Sequence, residues 1–289
     1  MQKLEKLFGG IKMPWWKVIV FAVVTAAYTA LINQVPVFKN TSLQDIAISY
    51  EWWILFAILI ITNAKSNLDA ALKTLVFFAI SQPLIFLIEV PFVGWSVMGY
   101  LRNWAIAIVL TFPMAFVGYF MKKDKWWGLL ILAPMLVFLG YHYYGFFAAA
   151  RFYFPHHLAS AVFCVVSMFV YVLGIFKNKK IKLAGVIASV VILIGATVVA
   201  LMNPTVLQTT LVGDGGSEGA VVKENYTAQL DDKRFGNTSV VYDEGYGGYL
   251  VNANLVKGGK TVLTITAPDG TKQTFDVLID EDGAHVNAK

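Results

Sequence analysis

Seven long apolar runs constrain the fold of this chain more than any other feature of its sequence. A helix that crosses a bilayer needs about 20 predominantly apolar residues, and each run has roughly that length. The runs cover residues 15–33, 45–63, 71–95, 103–121, 126–149, 157–176 and 183–202. Only 14% of the residues are charged, against about 25% in a typical soluble protein. The sequence therefore predicts an α-helical polytopic membrane bundle with seven transmembrane helices over residues 1–204.

The composition changes after Pro204, where the apolar runs give way to a polar, acidic tail. Residues 205–219 include "VGDGGSEG" and are predicted to be a linker, because Gly-rich segments are flexible. Residues 220–289 contain short alternating runs separated by turn residues, a pattern that is typical of β-strands. We therefore expect a small all-β domain after the helices.

The last hairpin of the tail is predicted from its turn. "TVLTITA" and "TKQTFDVLI" flank "PDG", in which Pro sets φ, Asp bonds its own backbone and Gly adopts a positive φ. Residues 239–280 resemble the final strands of bacterial immunoglobulin-like surface domains. The resemblance implies a small immunoglobulin-like β-sandwich and implies nothing about its ligand.

The distribution of basic residues predicts the orientation of the chain. Thirteen lysines lie at one set of helix ends, whereas the opposite ends carry only Lys39, Arg102 and Arg151. Because basic residues concentrate on the cytoplasmic side, we expect a cytoplasmic amino terminus and an extracytoplasmic β-domain in a plasma membrane. The preference for Lys over Arg favours a bacterial source. The net charge of +5 then reflects membrane anchoring, and nucleic acid is not an expected partner.

Seven ionisable side chains are predicted to lie in or beside the outer third of the bundle. Charged groups inside a membrane are costly and are usually paired, interior-facing or functional. In one interpretation the two arginines of this set pair with its two glutamates. In the other, the set lines an outward-facing pocket for an anionic solute or lipid headgroup, because a guanidinium makes two-point contacts with carboxylate or phosphate. The set is Glu51, Glu89, Arg102, His142, Arg151, His156 and His157.

Three prolines near the middle of consecutive runs allow two further interpretations. They are Pro83, Pro113 and Pro134, and each removes a backbone donor and frees a carbonyl one turn back. Ordinary kinks are one interpretation. Broken helices around a binding site, as in many transporters, are the other.

The sequence contains no motif for a cofactor, a metal or a known catalytic site. His156 and His157 are adjacent, so their rings point about 100° apart on a helix, and no zinc-site spacing is present. Walker, dinucleotide-binding and serine-hydrolase motifs do not occur. We therefore expect no cofactor and no metal, and lean against an enzyme. A His–Glu acid–base pair acting on a lipid-linked substrate is the enzymatic alternative.

Three functional hypotheses follow from these patterns. The leading one is a membrane protein whose pocket binds or transports a small anionic solute or lipid headgroup, with Arg102 and Arg151 contacting the anion. A membrane-anchored scaffold that acts through its β-domain is the second, and an outer-leaflet lipid-modifying enzyme is the third. The expected partners are membrane lipids, a small anionic solute, and an extracellular protein or an additional membrane subunit.

Overall fold

The computed structural model describes residues 2–213, 219–280 and 282–288. The chain divides into two compact units. The first contains Met1–Phe146 and His157–Val199 and is helical, and the second contains Phe147–His156 and Ala200–Lys289 and is mainly β. This division differs from the predicted limits of 1–204 and 220–289, because residues 147–156 group with the tail.

Nine α-helices occur among the described residues. Six of them, the second and the fifth to ninth, are long and apolar enough to cross a membrane, and the bent pair formed by the third and fourth is a seventh candidate. Each of the seven predicted runs therefore corresponds to a helix or a pair of helices. The helices are α1 (Gln2–Leu7), α2 (Trp15–Gln34), α3 (Ser42–Ile48), α4 (Tyr50–Asn63), α5 (Asn67–Val93), α6 (Gly99–Gly118), α7 (Trp126–Phe152), α8 (Leu158–Ile175) and α9 (Lys179–Met202).

The second apolar run, predicted as one continuous span, is broken at Ser49. This residue has an extended backbone with φ −76° and ψ 156°, and the helices α3 and α4 on either side of it are bent by 51°. The three mid-run prolines instead lie inside helices α5, α6 and α7. The break thus occurs in the span that carries Glu51, two residues after Ser49, and not at a proline.

Hydrogen bonds in the helical unit sort the helix ends into two groups. At one end, the Asn63 side chain at the end of α4 accepts from the backbone N–H of Ile11 at 2.7 Å. At the other end, Asn33 near the end of α2 donates to Glu89 near the end of α5 at 2.7 Å. These are the groups of ends that the lysine distribution predicts to share a side.

Glycines allow three helices of this unit to approach one another closely. A Cβ atom added at Gly140 of α7 would lie 2.2 Å from Cγ2 of Ile192 in α9. One added at Gly185 of α9 would lie 2.7 Å from Cγ1 of Val172 in α8. Both distances are below any ordinary contact, so neither site holds a larger residue without movement of its neighbour. Small residues serve this purpose in membrane bundles, where association depends on close packing.

We expect Gly140→Ala to lower the free energy of unfolding by about 1–3 kcal/mol, because the added methyl group overpacks the contact with Ile192. The matched control is Gly145→Ala on the same helix, where an added Cβ meets nothing within 4 Å. That variant should be neutral or gain up to about 1 kcal/mol from helix propensity. Thermal unfolding in detergent measures both, and Ile192→Ala should restore tolerance of Gly140→Ala. Equal effects of the two glycine substitutions would contradict the close crossing.

The second unit contains two antiparallel sheets around a shared apolar core. One sheet has the strand order β1-β4-β3 and the other β2-β5-β6-β7. Val251, Leu255, Leu263 and Ile265 are fully buried in the core. Among the described residues the strands are β1 (Leu207–Gly213), β2 (Thr227–Leu230), β3 (Gly236–Asp243), β4 (Gly248–Leu255), β5 (Gly259–Thr266), β6 (Lys272–Asp280) and β7 (Gly283–Ala288).

The structure differs from the predicted tail in two respects. Residues 207–213 of the predicted linker 205–219 form strand β1, which pairs with β4 and contributes the buried side chains of Leu211 and Val212. Residues 214–218 of that linker lie outside the described ranges. The strand order in the described ranges also differs from the constant-type immunoglobulin order, in which strands one, two, five and four share a sheet.

The predicted turn between β5 and β6 is confirmed in detail. Gly270 has φ +88°, a conformation that favours glycine. The Asp269 carboxylate accepts the backbone N–H of Thr271 at 2.8 Å, and the ladder continues from the pair Thr266 and Lys272. The local chemistry of Pro, Asp and Gly therefore sets the register of this hairpin.

Candidate functional site

Glu51 is a fully buried carboxylate inside the helical unit. Its Oε1 atom lies 2.5 Å from Nδ1 of His142 in α7, and the Cys164 thiol of α8 donates to the same oxygen at 3.8 Å. The other oxygen, Oε2, is buried and has no hydrogen-bond partner within the described part of the chain. One oxygen of Glu51 thus connects α4 to α7 and α8, while the other oxygen remains without a hydrogen bond in the described part of the chain.

Two local features lower the cost of burying this carboxylate. Glu51 lies in the first turn of α4, where unpaired backbone N–H groups and the helix dipole favour a negative charge. Its partner His142 is surrounded by aromatic rings, with ring centroids of Phe138 at 4.4 Å and of Tyr50 and Phe146 at 6.2 Å. These rings limit the exposure of the His142 side chain to 21%, and reduced contact with water strengthens its contact with the carboxylate. The break at Ser49 creates the helix start that Glu51 needs.

A second polar group connects α3 to the start of α8. Nδ1 of His157 lies 2.7 Å from Oδ2 of Asp45, and the Ser160 hydroxyl donates to the same oxygen at 2.7 Å. A catalytic serine would instead direct its proton to the histidine. Because both side chains converge on one carboxylate oxygen, this Asp45 group is a structural connection between two helices.

A third polar group surrounds Glu89, which is 4% exposed. Its Oε1 accepts from Nδ2 of Asn33 at 2.7 Å. The Oδ1 atom of Asn33 in turn accepts from Nε2 of Gln44 at 3.1 Å. This chain of amides connects α5, α2 and α3 and gives one oxygen of the buried carboxylate a neutral donor.

The two glutamates therefore bond histidine and asparagine, and the predicted pairing with arginine is not what the structure contains. Arg102 is exposed in the first turn of α6. Arg151 is exposed in the second unit and donates from Nη1 to the Ala200 carbonyl at 2.7 Å. His156 of that unit is exposed, and its backbone N–H donates to the Tyr153 carbonyl.

Of the seven predicted site residues, the structure brings only Glu51 and His142 into direct contact among those of the helical unit. Sequence reasoning missed the partners that complete the other groups. From the sequence, Asp45 and Asn33 only mark the limits of two apolar runs, and neither residue is assigned a polar contact. A usable signal was present, because polar residues at the ends of membrane helices commonly bond across helices. The missed partners are Asn33, Gln44, Asp45, Ser160 and Cys164.

An apolar cleft of about 220 Å³ lies between α4, α5, α6 and α7. Tyr50 lies where the cleft approaches the start of α4, with its ring 5.3 Å from that of Trp104 and 6.2 Å from that of His142. The cleft is therefore one aromatic ring away from the Glu51–His142 pair. No charged side chain lines it among the described residues. Its walls include Trp53, Phe78, Trp104, Thr111, Met114 and Met135.

Arg102 does not belong to this cleft. It precedes the cleft residue Trp104 by two positions, which places it on roughly the opposite side of α6. The cleft therefore lacks the guanidinium that the predicted anion pocket required. Arg102 instead occupies the exposed face of the helix end.

The β unit has an open groove of about 760 Å³ where strands β1 and β4 meet β2 and β3. It is larger than the cleft of the helical unit, and its lining is rich in uncharged amides. Such groups donate and accept hydrogen bonds with peptide backbones and sugar hydroxyls. The amides are Gln208, Gln229, Asn237 and Asn254, with Lys233 beside them.

Among the described residues, no three His, Cys, Asp or Glu side chains are grouped so that they could hold a metal ion. Comparison of the chain with protein-family models, with curated proteins and with solved structures finds no significant match.

We expect His142→Ala to lower the free energy of unfolding by about 3 kcal/mol, because it leaves a buried carboxylate without its partner. Glu51→Gln preserves the shape of the side chain and should cost about 1 kcal/mol. The double variant is then expected to be more stable than His142→Ala alone. Thermal unfolding in detergent measures all three. A double variant that is less stable than His142→Ala would contradict the assigned role of the pair.

Proposed function

We propose that this chain is a multi-pass plasma-membrane protein whose helical unit binds a lipid, with the apolar chain of the lipid in the cleft between α4 and α7. In this proposal the amino terminus is cytoplasmic and the β unit is extracytoplasmic. The observation that carries the proposal is the aromatic cleft that reaches Tyr50, next to the buried Glu51–His142 pair. The sequence suggested a lipid headgroup in a polar pocket as one ligand class, whereas the present proposal places the apolar chain of a lipid in an apolar cleft.

The lining of the cleft favours a lipid over a free anion. A small anion loses its hydration on entering a site and needs charged or donor groups in return. The cleft provides aromatic and aliphatic walls instead, which suit a hydrocarbon chain. Its single internal hydroxyl without a partner in the described structure is that of Thr74. An anionic solute would therefore gain little there, whereas an acyl or isoprenoid chain gains contact along its length.

The position of Tyr50 supports a polar end for this ligand near the start of α4. Tyr and Trp side chains prefer the membrane interface, where the ring is buried and the polar atom is hydrated. Tyr50 and Trp104 stack at this end of the cleft. The proposed headgroup then lies beside these rings, and Arg102 contacts phosphates of the surrounding bilayer from the other face of α6.

We expect Ala107→Phe to block the cleft and Ala105→Phe to leave it open. Ala107 lines the cleft, whereas Ala105 of the same helix is exposed and absent from its walls. The protein is placed in lipid nanodiscs that contain a phospholipid with a photoreactive diazirine in its acyl chain. Peptide mapping should show adducts on the cleft face of α6 that fall by about tenfold in Ala107→Phe, as expected when a single buried chain is displaced.

The control variant Ala105→Phe should retain these adducts, because it adds a side chain of the same size to the same helix but outside the cleft. Size-exclusion profiles and thermal unfolding verify that both variants fold. Adducts that are equal in the two variants, or spread evenly around α6, would show that lipid only surrounds the helices and would contradict the proposal.

The β unit offers a second candidate function, which is carried by its amide-lined groove. As an extracytoplasmic module it would bind a peptide segment or a glycan through Gln208, Gln229 and Asn237. The resemblance to immunoglobulin-like surface domains suits an extracytoplasmic position and implies nothing about the ligand, and only the antiparallel sandwich is retained from it. Binding of cell-wall glycans or secreted peptides by the full chain should be lost in Gln229→Ala and Asn237→Ala. It should persist in Ala107→Phe, which separates the two functions.

A further inference from the structure

A polar cavity of about 470 Å³ lies at the lysine-bearing end of the helical unit, opposite to the end that carries Glu89 and Asp45. It is formed by α1 and the segment after it, the end of α4, the turn between α6 and α7, and the end of α8. Three lysines line it, together with one carboxylate residue, Glu5, and two apolar side chains. The lining residues used below are Phe8, Thr62, Lys122, Lys123, Ile175 and Lys177.

The cavity is held in shape by hydrogen bonds between its walls. The Asn63 side chain accepts the backbone N–H groups of Gly9 at 3.1 Å and of Ile11 at 2.7 Å, and donates to the Leu7 carbonyl at 2.7 Å. These bonds fasten the amino-terminal segment to the end of α4. The segment that covers the cavity is therefore fixed to the helical unit.

The Lys122 side chain is positioned by backbone carbonyls at the end of α4. Its Nζ donates to the carbonyls of Ala64 at 2.7 Å and Thr62 at 3.3 Å, which are acceptors left free at a helix C-terminus. The same Nζ lies 4.1 Å from the ring centre of Tyr119, so its remaining N–H is next to an aromatic face and not next to a carboxylate. The charge is thus positioned by the protein and is not neutralised by it.

The carboxylates at this end already have other partners. Glu5 itself lines the cavity, but its carboxylate bonds Lys182 at 2.7 Å, and this contact lowers the pKa of Glu5. Asp69 bonds Lys73 at 2.8 Å. Asp124 accepts the backbone N–H groups that follow α8, at 3.0 Å.

Among the described residues, none of the three cavity lysines forms an ion pair with a carboxylate. Lys122 bonds carbonyls, and Lys123 has its Nζ 5.9 Å from the ring centre of Tyr119. Lys177 contributes its backbone N–H to Asp124. An excess of positive charge around a defined cavity attracts an anion.

We infer that this cavity binds a phosphate-bearing anion, and that its source is the headgroup of an anionic phospholipid in the leaflet at the lysine-bearing helix ends. Lysines at the mouth contact the phosphate, and Phe8 and Ile175 contact the first carbons of the lipid. Basic pockets between membrane helices recognise anionic headgroups in this way. The site is at the opposite helix ends from Tyr50 and does not depend on the proposed cleft.

The experiment compares two double variants with the same loss of charge. Lys123→Gln/Lys177→Gln removes two cavity lysines and leaves Lys122, which also caps α4. Lys125→Gln/Lys180→Gln removes two exposed lysines that do not line the cavity. Each full-length protein is placed in phosphatidylcholine nanodiscs with or without phosphatidylglycerol, and retained lipid is counted by native mass spectrometry after detergent release. A parallel arm titrates inorganic phosphate into the nanodiscs that contain phosphatidylcholine alone.

We expect wild type to retain phosphatidylglycerol, the cavity variant to bind it about tenfold more weakly, and the control variant to match wild type. Binding of inorganic phosphate with the same dependence on Lys123 and Lys177 would also support the phosphate site and would identify a soluble source. If both double variants retain equally less phosphatidylglycerol than wild type, binding depends on general surface charge and the inference is overturned. Absence of binding in both arms would overturn it as well. The cleft experiment with Ala107→Phe can succeed or fail independently of these outcomes.

Discussion

The contact between Glu51 and His142 is the constraint around which the helical unit is organised. A carboxylate in a fully buried position is costly unless it is paired and supplied with donors. The chain meets this requirement by breaking a span at Ser49, so that a helix begins beside Glu51, and by bringing His142 of α7 and Cys164 of α8 to the same oxygen. The positions of three helices therefore depend on one polar group.

The two ends of the helical unit have different chemistry. At one end, carboxylates bond histidine, serine and asparagine side chains, and an aromatic cleft lies next to Glu51, one oxygen of which has no partner among the described residues. At the other end, the carboxylates bond other lysines or backbone N–H groups, and three lysines that line a cavity have no carboxylate partner among the described residues. An apolar chain suits the first site and a phosphate suits the second. Both ligands that we propose for the helical unit are lipids.

Local chemistry predicted the parts of the fold that depend on neighbours in sequence. The apolar runs identified the helices to within a few residues, and Asp269 with Gly270 identified the last hairpin. The break at Ser49 was missed because the run shows no Pro or Gly there, and apolar composition alone does not reveal a change of direction. Strand β1 was missed because Gly-rich residues follow it directly. The pairing of Glu51 with His142, 91 positions apart, depends on how helices pack and has no local signal.

The sequence by itself predicted the apolar segments, the gathering of lysines at one set of their ends, and the β-rich tail that follows. These properties arise from hydrophobicity and charge summed over segments, which need no knowledge of contacts. Only the tertiary structure decided that histidine and asparagine, and not arginine, bond the buried glutamates. It also decided which helix faces leave a cleft and which lysines remain without a carboxylate. Such outcomes depend on side chains from distant segments meeting at distances of a few ångströms, and a linear pattern does not encode those distances.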